Sequence, residues 1–177
     1  IHTAGDRADS AARCLERVLL AKPEADEYRR KLADLYRRED RAQEAITHYA
    51  KLLERVGEEE GIIEMLALLN QDLGNAEEAL RWRSKLVVDG EETVNAERLE
   101  SVVELQLETG DVEGALESLF KLAVVDTANA YAYYNRIASI SEESGDEQVL
   151  LRAREGMVRA DPQDLQTIAQ LVEWTVR

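Results

Sequence analysis

A small residue, an apolar or aromatic residue four positions on and another apolar residue seven positions on recur along this chain at a nearly fixed interval. The set reads Ala11, Leu15, Val18; then Ala45, Tyr49, Leu52; then Ala115, Leu119, Leu122. Ala79 and Leu86 keep the pattern around Arg83, and Leu150 and Met157 keep it around Arg154. Successive anchors lie 34, 34, 36 and 35 residues apart. Offsets of four and seven lie on one face of an α-helix. An interval near 34 is the length of one helix–turn–helix unit, and such units bury their apolar faces by stacking on their neighbours.

A partner helix, the first of each unit, is expected before each anchor from the second onward. It carries Leu32-Ala33 with Tyr36, then Leu66-Ala67, then Val102-Val103, then Ile137-Ala138, and a final segment supplies Leu171-Val172. Between paired helices stand Asp40-Arg41, Gly74-Asn75, Gly110-Asp111 and Gly145-Asp146. Glycine accepts the left-handed conformation that stops a helix, and Asp or Asn caps the next one. Asn75 with Glu78, and Asp40 with Gln43, have capping-box spacing. Pro23 and Pro162 follow second helices and block their continuation. A single non-repetitive bundle has no reason to repeat its turn chemistry.

Through these residues the chain resembles the tetratricopeptide repeat (TPR) family. Leu32, Ala33, Tyr36, Ala45, Tyr49 and Leu52 match its pattern best, and Tyr134, Ile137, Ala138, Gly145 and Pro162 match it in part. Asn70 and Gln106 stand where the family often has Tyr, and Arg83 and Arg154 where it prefers an aromatic. The resemblance implies an all-α, right-handed superhelical solenoid. The expected layout is one array over 1–177: a half repeat 1–25, repeats 26–59, 60–94, 95–129 and 130–164, and a half repeat 165–177. Cut through a unit at each end, such an array would leave Leu15, Leu19 or Leu20, and Leu171, Trp174 or Val176, facing water. The stretches Gly57–Gly61 and Val88–Ala96 read as linkers.

The charge narrows the partners. There are 37 acidic against 22 basic residues, a formal net charge of −15. Phosphate backbones and anionic membrane surfaces repel such a chain, so neither nucleic acid nor direct membrane contact is expected. The longest apolar run, Met65 to Leu69, is far short of a membrane span. Cys14 is the sole cysteine and has no intrachain partner. His2 and His48 have no ligand-spaced Cys or carboxylate, and no phosphate-binding glycine loop follows a strand. No enzyme activity, metal or cofactor is expected. His48 is expected on the outward face of a second helix, Trp82 toward the convex side of another with core or inter-unit packing expected for it and for Trp174, Tyr134 at the core aromatic position that the likeness implies, and Tyr131 and Tyr133 in unit-to-unit packing.

The family likeness implies that first helices line a groove. Its face would present Glu64, then Glu97, Glu100, Glu104 and Glu108, then Asn135 and Glu142. The four glutamates spaced three or four apart share one helix face, where like charges are mildly destabilising. The expected function is a protein–protein interaction scaffold recruiting a partner through an acidic groove. One reading is a periplasmic secretion or envelope assembly, similar to the TPR region of a Pel-type exopolysaccharide export protein. That scaffold would recruit a polysaccharide-modifying enzyme or attract a cationic polymer. The other is a cytoplasmic adaptor for a basic peptide. The Lys and Asn pattern of the family's carboxylate clamp is missing, since Arg30 with Asp34 and Glu64 with Leu68 stand in its place.

Overall fold

A computed structural model describes residues 4–87 and 95–175, with side chains for 7–87 and 95–173. Among the described residues there are ten helices and no strand: α1 Ala4–Ala21, α2 Asp26–Arg38, α3 Ala42–Val56, α4 Glu60–Asp72, α5 Ala76–Ser84, α6 Ala96–Glu108, α7 Val112–Val125, α8 Ala130–Ser144, α9 Glu147–Ala160 and α10 Leu165–Thr175. Helices α2 with α3, α4 with α5, α6 with α7 and α8 with α9 pack as pairs. Most of the expected linker Val88–Ala96, together with His2, the Trp174 side chain and Val176, lies outside the described residues.

The turns show why the pairs repeat. Each closes with a backbone N–H donated five residues back: Arg41 to Tyr36 at 2.9 Å, Asn75 to Asn70 at 2.8 Å, Asp111 to Gln106 at 2.7 Å and Asp146 to Ser141 at 3.0 Å. This closure needs a left-handed residue just before the donor. Gly74, Gly110 and Gly145 supply it with φ of 73°, 79° and 74°, and Asp40 fills the same slot at φ 56°.

Capping follows the expectation only in part. Asp111 accepts from the Gly114 N–H, and Asp146 from the N–H groups of Gln148 and Val149. Neither expected capping box forms. Asp40 is the left-handed turn residue, so Arg41 takes the cap position without a capping bond. Asn75 instead donates its amide to Asn70 Oδ1.

The chain divides into two compact units, 1–86 and 87–177. In the first, Leu32, Ala33, Ala45, Tyr49, Leu52 and Leu66 form the centre of the core. In the second, Val103, Ala115, Leu119, Leu122, Ile137, Ala153 and Met157 do. The anchors Ala45, Ala79 and Ala115 are completely buried, whereas in α9 that place goes to Ala153 and Leu150 is only half-buried. In α1 the face turned to α2 carries Ala12 and Leu19, both buried, while Ala11 and Leu20 are exposed and Leu15 is half-buried.

Candidate partner-binding face

Glu97, Glu100, Glu104 and Glu108 all lie exposed along α6. Two of them are engaged by the next first helix. The Tyr133 hydroxyl of α8 donates to Glu100 at 2.5 Å and stands 3.0 Å from Asp126. The Arg136 guanidinium grips Glu104 with two bonds, 2.6 and 3.0 Å long. Residues 100 to 133 and 104 to 136 are one repeat apart, so these bonds fasten neighbouring hairpins to each other. The Arg136 hydrogen bond holds the Glu104 carboxyl below its usual range. Burial, and then the Glu100 and Asp126 carboxylates, push the Tyr133 phenol well above its ordinary value.

Asn135 and Glu142 lie exposed on α8 and line a polar pocket of about 280 Å³ with Ser139, Arg154 and Gln170. Glu142 is paired with Arg154 at 2.6 Å. Arg154 is half-buried on α9 and reaches across to α8 for this pair. Glu64 sits half-buried on α4, in the other compact unit. The α6 glutamates, Asn135 and Glu142 therefore share one unit, and Glu64 belongs to another. Glu97 and Glu108 carry no ion pair among the described residues.

Of the three tyrosines, Tyr133 is the buried one and Tyr134 is half-buried against Phe120, ring centroids 6.2 Å apart. Tyr131 donates to Asp164, 33 residues on, at 2.7 Å. The hydroxyls of Tyr131 and Tyr133 are thus committed to unit-to-unit ties. Tyr133 and Arg136 were absent from the expected face; their one-repeat offset from Glu100 and Glu104 is the signal that finds them. His48 departs from its expected outward place. It is half-buried, its ring 5.7 Å from that of Tyr36, and burial, then Arg29 and Lys51, hold its pKa below the usual histidine value.

Acidity is uneven between the units. Residues 87–177 carry 19 acidic against 7 basic side chains, a net of −12, and residues 1–86 carry 18 against 15, a net of −3. No described helix is long and apolar enough to cross a membrane.

The sequence matches no family model and no curated protein. Solved structures share its fold. MamA AMB-1 aligns over 94% of this chain and 90% of its own at 15% identity, with a TM-score of 0.60. YrrB, described as a TPR protein with an unusual peptide-binding site, aligns over 94% and 84% at 14% identity, TM-score 0.57. A tetratricopeptide repeat protein from Parabacteroides merdae aligns over 97% and 73% at 18% identity, TM-score 0.52. At these identities the likeness extends to the fold and not to an export role or a compartment. The all-α, TPR-like repeat fold is what this chain shares with them.

Proposed function

We propose that this chain is a protein–protein interaction scaffold whose 87–177 unit docks a basic partner through an acidic groove lined by the first helices α6 and α8. The observation that carries the reading is the net charge of −12 gathered in that unit. Glu97 and Glu108 stand open at either end of the α6 row, while Glu100 and Glu104 are tied to Tyr133 and Arg136 between them. A cationic segment would meet the open carboxylates first and gain in encounter rate from the surrounding field. The setting we favour is a bacterial secretion or envelope assembly, with the scaffold in the periplasm. There it would recruit a polysaccharide-modifying enzyme or hold a cationic polymer. Acidity and composition support that setting.

The test is charge reversal of Glu97 and Glu108 to lysine. A partner captured by this chain and then purified should bind the reversed variant at least tenfold more weakly at low salt, with a shallower dependence on salt concentration. Equal affinity and an equal salt slope would refute the acidic-face reading. The same reversal at Glu100 and Glu104 should also lower the melting temperature, because it breaks the ties to α8.

A further inference from the structure

Within the 1–86 unit a cleft of about 670 Å³ opens over α4 between the second helices α3 and α5. Ile46, Ala50, Leu53 and Leu66 line its apolar part, Trp82 lines it from α5, and Asn70 and Asn75 add amides. The preceding repeat shows what belongs there. Shifting each residue back by 34 turns Asn70 into Tyr36, Trp82 into His48, Asn75 into Arg41 and Ala50 into Glu16. In that repeat the place is full. Tyr36 is 3% exposed. Its ring lies against His48 at 5.7 Å and under Arg41 at 4.3 Å. Its hydroxyl donates to Glu16 at 2.5 Å.

Ala12 and Leu19, one repeat before Ile46 and Leu53, are buried at 4% and 8% exposure, whereas Ile46 and Leu53 are only half-buried. Asn70 is too short to cover them; its amide turns back to the Leu66 carbonyl at 2.7 Å. The cleft is thus the seat of a phenol ring that this repeat does not carry. Its size lies within the range of small-ligand sites.

We propose that this cleft binds an aromatic side chain of a partner polypeptide, supplied from outside where the preceding repeat supplies its own Tyr36. The flank of that side chain is basic. Both cations on the rim are already spent, Arg81 on Glu78 at 3.2 Å and Lys85 on Glu58 at 2.9 Å. Both also lie over the Trp82 ring, at 5.1 and 5.4 Å. Glu54 lines the same rim and carries no ion pair among the described residues, so the charge left to complement is negative. The ring would stack beside Trp82 over the aliphatic floor, with Asn70 and Asn75 within the same cleft to meet a phenol hydroxyl. This site is separate from the acidic face of α6 and α8 and does not depend on it.

The experiment is an NMR titration of the Trp82 indole N–H, in a Trp174→Phe background, with the amidated tripeptides Lys-Tyr-Lys, Lys-Ala-Lys and Glu-Tyr-Glu. Lys-Tyr-Lys should shift the Trp82 signal saturably, with a Kd of about 1 mM, the affinity one buried ring supports. Asn70→Tyr restores the missing ring and should weaken that binding at least tenfold; Ala50→Phe fills the same space from α3 and should do likewise if Asn70→Tyr disturbs the fold. Lys-Ala-Lys should leave Trp82 unmoved, and Glu-Tyr-Glu should bind several-fold more weakly. Full binding by a filled variant, an equal shift from Lys-Ala-Lys, or no saturable shift from Lys-Tyr-Lys would overturn the proposal. Equal binding of Glu-Tyr-Glu would overturn its charge half.

Discussion

Replacing Gly156 by alanine should destabilise this protein although alanine is the better helix former. Gly156 lies in α9, and an added Cβ would stand 2.5 Å from Cδ1 and Cε1 of Tyr134 and 2.7 Å from its Cγ. Carbon atoms in contact prefer about 3.5–4.0 Å, so either the ring or α9 must yield by roughly 1 Å. The ring is not free to swing. It packs edge-on to Phe120, and Phe120 is covered by the Arg152 guanidinium 4.0 Å from its centroid. Overpacking of this kind costs about 1–3 kcal/mol. The Gly to Ala gain in a helix interior returns about 1 kcal/mol. A net loss of about 1 kcal/mol follows, a fall of roughly 0.5 M in the urea midpoint for a slope of about 2 kcal/mol/M. Far-UV circular dichroism during urea unfolding reads it. Gly61→Ala in α4 is the control, because its Cβ would meet nothing within 4 Å. That variant should hold or gain stability. In a Tyr134→Ala background the clash is gone and Gly156→Ala should become stabilising. If Gly156→Ala raises the midpoint equally in both backgrounds, the packing argument is wrong.

Two further outcomes can be checked in the same way. Asp40 is the one non-glycine residue at positive φ among those described, at 56°. Asp40→Gly should therefore raise the melting temperature by one to two degrees, about 0.5 kcal/mol, while Gly110→Ala lowers it by more. Glu104, Asp126 and Asp164 all have carboxyl groups held below their ordinary values by hydrogen bonds, the largest coming from Arg136, Asn129 and Thr167 respectively. A carboxyl depressed in the folded state contributes stability that is complete above its unfolded pKa and is lost as pH falls through the folded one. Thermal stability should thus decline as pH drops below about 4.5, and Glu104→Gln should flatten that decline; an unchanged pH profile would remove Glu104 from the account.

The repeat and its turns were readable because they rest on short-range rules. An apolar stripe at helical spacing must be covered, and a chain that reverses within three residues needs a left-handed position, whether glycine or Asp40 fills it. Capping was harder to read because it depends on where a side chain points. Asn75 has the right identity and spacing but gives its amide to Asn70, which stands one period after Tyr36. The acidic row was visible as a row, and its fastening was not. Glu100 and Glu104 look solvated from their own helix; only a comparison one repeat downstream brings in Tyr133 and Arg136. His48 was misplaced for a similar reason, since its neighbour Tyr36 comes from the paired helix. Burial among the three adjacent tyrosines turns on helix phase within one residue, which a pattern of apolar letters does not resolve.

The ties from Glu100 to Tyr133 and from Glu104 to Arg136 have a bearing on which changes of length the chain tolerates. Both require α6 and α8 to stay in phase across the whole of α7. One extra residue inside α7 turns everything after it by about 100° about the helix axis, which carries both donors away from their carboxylates. Adding or removing a complete hairpin leaves that phase untouched. Viable relatives of this protein should therefore differ by whole multiples of the period, with single insertions confined to the stretches that join one hairpin to the next.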